Sequence, residues 1–160
     1  MNELPNFETG CCPRFNPALW QEKEIQFNNK LFIKDHVMSI FHMPINFGSV
    51  MKKNIQMIED AGAKSKDQLV LSDEKSPWGS DVYISIEKEV PSLSVVKISG
   101  TYLTKVFEGS YKNMGTYIQQ MKSFVKSKGK KIKKNYFYNP YCPKCAKAYG
   151  KNYIVILSQI

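Results

Sequence analysis

The chain has 160 residues, 42% of them apolar, and a formal charge of +9. That length fits one domain with a real core, and no run approaches the roughly 18 apolar residues that cross a bilayer. The start (Met1, Asn2, Glu3, Leu4, Pro5) has no basic segment leading into an apolar one. A cytoplasmic protein with no membrane partner is therefore expected, its four cysteines thiols or metal ligands in a reducing compartment.

Residues 1–24, with Pro5, Pro13 and Pro17, read as an irregular arm. Residues 25–33 read as a short hairpin turning at Asn28, Asn29 and Lys30. Together, 1–34 form an N-terminal arm and hairpin. Residues 37–43 alternate as a strand, with Met38 and Ile40 sharing a face with His36 and His42. A helix over 47–61 carries Phe47, Val50, Met51, Ile55, Ile58 and Ala61 on one stripe, and Gly62 stops it. Strands follow at 69–71 and 81–89, with a turn at 72–80 containing Pro77 and Gly79.

Pro91 punctuates the middle, and the order recurs. A strand over 93–107 is bent at Gly100. A helix over 113–126 is defined by Met114, Tyr117, Ile118, Met121, Phe124 and Val125. Seven lysines between Lys122 and Lys134 read as its solvated end. Of 23 basic residues only Arg14 is arginine. Lysine neutralises phosphate without the planar fork that reads guanine, so a nucleic-acid partner is not expected. Strands at 132–138 and 153–160 flank a cysteine loop. The expected fold is therefore α+β: two tandem strand–helix–strand–strand repeats, 35–90 and 91–160, related by a pseudo-twofold axis. Their antiparallel sheets and two long helices make one small-molecule-binding domain over 35–160, with a ligand groove between the repeats.

Cysteine spacing is the sharpest local signal. Cys142 and Cys145 have the C-x2-C spacing with which two thiolates grip one zinc ion from a tight turn. Cys11 and Cys12 form the other pair and would complete a structural tetrahedral site; His36 or His42 would replace a spectator cysteine. Plain buried thiols and a redox pair are the rival readings. Redox motifs of this kind sit at a helix N-terminus, and residues 146–148 before Gly150 leave room for barely one turn.

The second signal is aromatic. Tyr83, Tyr102, Tyr136 and Tyr138 fall in the strands expected to floor the groove, with Phe41 and Trp78 beside them. Flat apolar faces with single hydroxyls suit a small hydrophobic or planar ligand. The acid–base candidates are Glu87 and Glu108, since a carboxylate in an apolar groove has a raised pKa. There is no G-x-S-x-G, P-loop or H-E-x-x-H motif.

Residues 106–111 (Val, Phe, Glu, Gly, Ser, Tyr) and 136–140 (Tyr, Phe, Tyr, Asn, Pro) resemble strand-end motifs of the gyrase-inhibitor-like superfamily. That group includes the effector-binding domains of bacterial multidrug sensors. The resemblance covers about 35–160 and implies a stand-alone ligand-binding protein, with Glu108 and Tyr111 at the ligand. Tyr136 stands where many sensors place a buried glutamate, which departs from their cation-binding pattern. A subset similar to this chain in its Cys-Cys-Pro start and Cys-Pro-Lys-Cys end carries the label hydrolase. Some members of the superfamily hydrolyse reactive cyclopropane-containing natural products, so the alternative implied is a hydrolase acting in the same groove.

Overall fold

The structure is a computed structural model that describes residues 12, 14–41, 43–141 and 143–160. Cys11, His42 and Cys142 lie outside the described residues. Contacts divide the chain into two compact units, Gln26–Gly100 and a second made of Thr101–Ile160 with the N-terminal stretch up to Ile25.

In the first unit, β1 (Lys23–Ile40) pairs antiparallel with β2 (Met43–Pro44) on one side and with β4 (Gly79–Ser85) on the other; β4 pairs antiparallel with β3 (Val70–Ser76). Period-two alternation sorts these strands into two faces. One face places Ile33 opposite Ile84 and Ile84 opposite Val70. With Ile58, Ala63, Ile86 and Val90 these form an apolar core, against which Met51 and Ala61 pack. The helix α1 (Phe47–Asp60) supplies Met51 and Ile58 at a seven-residue spacing, which keeps both on its inner stripe. Gly62, at φ 63°, takes the left-handed conformation that ends the helix, and its N–H returns to the Glu59 carbonyl. The opposite face carries Phe32, Lys34 and His36 from β1, Leu71 and Asp73 from β3, and Asp81, Tyr83 and Ser85 from β4.

In the second unit, β7 (Tyr153–Gln159) is central, antiparallel to β5 (Val95–Glu108) and β6 (Lys134–Tyr138). The helix α2 (Met114–Ser127) closes one face: Tyr117, Met121 and Val125 join Leu103, Phe107, Ile154 and Ile156 in one core. A third helix, α3 (Pro143–Tyr149), separates β6 from β7. Residues 15–22 lie on the other face. Thr104 donates its hydroxyl to the Trp20 carbonyl, and the Val106 N–H donates to Gln21 Oε1 at 2.9 Å.

These elements correct the expected fold. Antiparallel strand dominates the described residues, and there are three α-helices rather than two long ones serving two equivalent repeats. The second half carries α3 where the first has only a turn. β1 runs for 18 residues and β5 for 14, and the boundaries between the units fall inside both strands rather than near Pro91. No hairpin forms at 25–33. Asn29 adopts φ 49°, which asparagine tolerates, and its N–H goes to Ser99 Oγ at 2.9 Å while the strand continues. A local irregularity has replaced the turn that the Asn-rich sequence predicts.

Candidate functional site

Directly opposed residues on paired strands share a face, so the registers His36↔Asp81 and Asp73↔Asp81 place three titratable side chains in one row across β1, β4 and β3. His36 Nδ1 lies 3.2 Å from Asp81 Oδ1. Lys34 Nζ stands 3.7 Å from Asp81 Oδ2 and 5.9 Å from the Tyr83 ring centroid. The Asp81 side chain is 14% exposed and that of His36 55% exposed, so the carboxylate is sheltered while the imidazole reaches solvent. Asp73 is buried, at 8% exposure. Like charges directly across a strand pair are destabilising, and a strand row with two carboxylates and a histidine is an arrangement that packing alone does not favour.

The tautomer follows from the partner. A proton on Nδ1 is donated to Asp81, which leaves Nε2, the ring nitrogen lying over Gly79, with the free lone pair. Gly79 makes room for that ring: a Cβ there would stand 2.5 Å from His36 Nε2. The backbone of His36 is held from the other face of β1. Its N–H bonds Asp35 Oδ1 at 2.7 Å, and Asn54 of α1 donates to Asp35 Oδ2 at 2.7 Å. That Asn54 bond, with the His36 N–H and nearby Lys53, outweighs burial and holds the Asp35 carboxyl below its usual range.

An apolar lip adjoins the row. Met38 follows His36 by two residues on the same face, and Phe41 and Trp78 meet at a centroid distance of 5.1 Å. All three are exposed, Phe41 at 74% and Trp78 at 58%. The lip is braced by backbone: Ser39 N–H donates to the Trp78 carbonyl at 2.8 Å, and Met38 N–H to Asn46 Oδ1 at 2.8 Å. Phe41 itself sits at φ 47°, a left-handed conformation rare for an aromatic residue.

The expected ligand residues distribute as follows. Phe41 and Trp78 form this lip, and Tyr83 is buried in the strand row beside it. Tyr102 and Tyr136 are buried 6.0 Å apart in the second unit. Burial, with Tyr136 beside it and Lys134 opposing, pushes the Tyr102 hydroxyl up to about 12. Tyr138 contacts Phe15 and Trp20, and Tyr111 is exposed in a short 3-10 turn. Glu87 and Glu108 are both exposed, and Glu108 stands opposite Tyr153 at the end of β5. Neither belongs to the row. Asp73, Asp81 and Lys34 were not singled out by sequence, because their meeting with His36 depends on a pairing 45 residues apart. Alternation along 36–40 and 81–86 was visible; the register that brings the two strands level was not.

Cys145 is fully buried and packs with Tyr141 and Tyr153; Cys12, Phe15 and Tyr149 pack against the same cluster. Among the described residues no three His, Cys, Asp or Glu side chains converge as a metal-binding group, and no helix is long and apolar enough to cross a membrane.

None of the curated proteins compared with the chain matches it. The model of one family, described as bacterial hydrolase, matches residues 3–160, which takes in every strand and helix described above. The chain belongs to that bacterial hydrolase family.

Proposed function

We propose that the protein hydrolyses a small, largely apolar ester or similarly activated carbonyl compound at the His36–Asp81 pair. The observation that carries this reading is the 3.2 Å contact between His36 Nδ1 and Asp81 Oδ1, on an imidazole that is half exposed and adjoins an exposed apolar lip. The family description supports hydrolysis as the reaction class.

In this mechanism Nε2 removes a proton from a water as its oxygen attacks the substrate carbonyl carbon. Asp81 holds the ring orientation and offsets the positive charge on the imidazolium, with Asp73 of β3 opposite it in the register. The tetrahedral intermediate collapses by breaking the carbon–oxygen bond to the leaving group, which takes the proton back from Nε2. Lys34 Nζ, 3.7 Å from Asp81 Oδ2, helps fix that carboxylate in place. Met38, Phe41 and Trp78 seat the apolar part of the substrate.

A series of p-nitrophenyl esters of increasing acyl length tests this. Wild-type protein is expected to turn over the esters, and His36→Ala and Asp81→Asn to lower kcat/KM by about 10²-fold or more. Equal rates in all three proteins would remove the pair from the reaction. A second reading, ligand binding without turnover, is favoured by the exposure of Phe41 and Trp78. It predicts that a planar dye binds wild-type protein and fails to bind Trp78→Ala while no ester is turned over.

A further inference from the structure

The charge of the chain is concentrated in one of its two units. Residues 26–100, the first unit, hold nine basic and nine acidic side chains. The second unit, 101–160 with the stretch up to Ile25, holds fourteen basic and five acidic ones, which is the whole formal surplus of +9. From Gly109 to Ile160 there are eleven lysines and no aspartate or glutamate. A surface that is merely solvated mixes both signs, because a field of one sign repels itself.

Six of these lysines lie on the outer side of α2 and on the segment that follows it. Tyr117, Met121 and Val125 turn inward to the core, which leaves Lys122 and Lys126, one turn apart, exposed on the outer side. Lys128, Lys130, Lys131 and Lys133 follow, all exposed. Backbone bonds hold the segment in place. Gly129 takes φ 71° and donates to the Lys126 carbonyl at 2.9 Å. The Lys130 N–H returns to the Val125 carbonyl at 3.2 Å, and the Lys133 N–H donates to the Gln159 carbonyl at 2.8 Å. Lys105 has Glu22 as a counter-ion at 3.0 Å, whereas none of the six meets a carboxylate among the described residues. The helix dipole favours a cation in the last turn, which accounts for Lys126, but it fades beyond that turn and leaves Lys131 and Lys133 unaccounted for.

The chemistry of this face narrows its partner. It carries no arginine, so it lacks the planar fork that grips phosphate or a base edge bidentately. It offers no exposed ring on which an unpaired base stacks. Phe124 is half-buried, with Lys105 and Lys128 at 5.1 and 5.7 Å from its centroid, and Tyr136 is buried. A duplex presents phosphates at fixed spacing. Lipid headgroups diffuse and gather beneath lysines at whatever spacing these have, so a leaflet requires point charges alone.

We infer that the lysine face from Lys122 to Lys133 docks on an anionic phospholipid surface. Contact is peripheral: the ammonium groups rest among headgroups, and the apolar stripe of α2 stays in the core. The expectation of no membrane partner rests on the lack of a spanning segment, and adsorption needs none. The face lies wholly in the second unit and does not draw on the His36–Asp81 row.

The test sediments full-length protein with sucrose-loaded vesicles of phosphatidylcholine containing about 30% phosphatidylglycerol, or of phosphatidylcholine alone, in about 0.1 M salt. Protein is expected to pellet with the first and stay in solution with the second, and about 0.5 M salt is expected to release it. Lys128→Gln/Lys130→Gln/Lys131→Gln/Lys133→Gln is expected to lower the partition coefficient by about 10²-fold or more. Lys52→Gln/Lys64→Gln/Lys66→Gln/Lys88→Gln removes the same charge from exposed positions of the first unit and is expected to change it by less than about threefold. Wild-type protein that stays in solution with the anionic vesicles, or two quadruple variants that partition alike, would overturn the inference. So would a duplex of about 20 base pairs that strips the protein from the vesicles at equal phosphate, which would assign the face to nucleic acid.

Discussion

At Gly79 a hydrogen stands where any side chain would meet the His36 ring. An added Cβ would lie 2.5 Å from Nε2, inside van der Waals contact, so the imidazole keeps its place only beside glycine or by swinging away from Asp81. The same economy of single groups shows at Tyr102. It is fully buried and its hydroxyl is pushed up to about 12, first by burial and then by Tyr136. The unfolded chain ionises its tyrosines near their ordinary value, about 10. Between the two values the unfolded state has lost a proton that the folded state retains, so stability falls as pH rises through that window. Denaturant titrations of wild type and Tyr102→Phe from pH 9 to about 12 are expected to diverge, the wild type losing stability more steeply with pH. Parallel curves would mean that Tyr102 ionises as freely folded as unfolded.

Between elements, the docking of α1 on β1 decides whether the row of His36, Asp81 and Asp73 stays level. Asn54 is a polar residue only 2% exposed, and it spans the gap by donating both to Asp35 Oδ2 and to the Val50 carbonyl. Asn54→Ala removes both bonds and leaves the Asp35 carboxylate without its principal donor. The expected loss is about 1–3 kcal/mol in urea unfolding at pH 7. Asp35 has a depressed pKa, so its contribution is present above the unfolded carboxylate value and disappears as pH falls through the folded one. The gap between wild type and Asn54→Ala should therefore narrow in acid. A gap that stayed constant down to the lowest pH at which both proteins fold would locate the cost in packing rather than in Asp35.

Across the whole molecule, what sequence makes legible is local. The stripe from Phe47 to Ala61 marks α1, and that from Met114 to Val125 marks α2, because helical periodicity needs no knowledge of partners. Alternation marks parts of β1 and β4 for the same reason. The grouping of those elements is not local. Asn28 and Asn29 predict a turn where β1 runs on. Gly100 predicts a bend in its strand, and it takes φ 138° within β5. Site residues show the same limit. Phe41 and Trp78 stand out as aromatic in any reading. Asp81 looks like an ordinary polar strand residue until its register with His36 is known, and Asp73 falls in a stretch whose Ser, Asp, Lys, Pro and Gly content predicts a loop.

The most direct measurement of the central claim replaces the His36 ring chemically. His36→Ala leaves a space beside Gly79 and Asp81 on a half-exposed strand position, large enough for free imidazole to enter. Initial rates of p-nitrophenyl acetate hydrolysis are compared for wild type and His36→Ala as imidazole is added, after subtracting the rate of imidazole alone. The account predicts a variant about 10²-fold slower whose rate climbs with imidazole and saturates. It also predicts that His36→Ala/Asp81→Asn responds far less. A His36→Ala protein as fast as wild type, or one whose rate rises no more than that of buffer with imidazole, would contradict it.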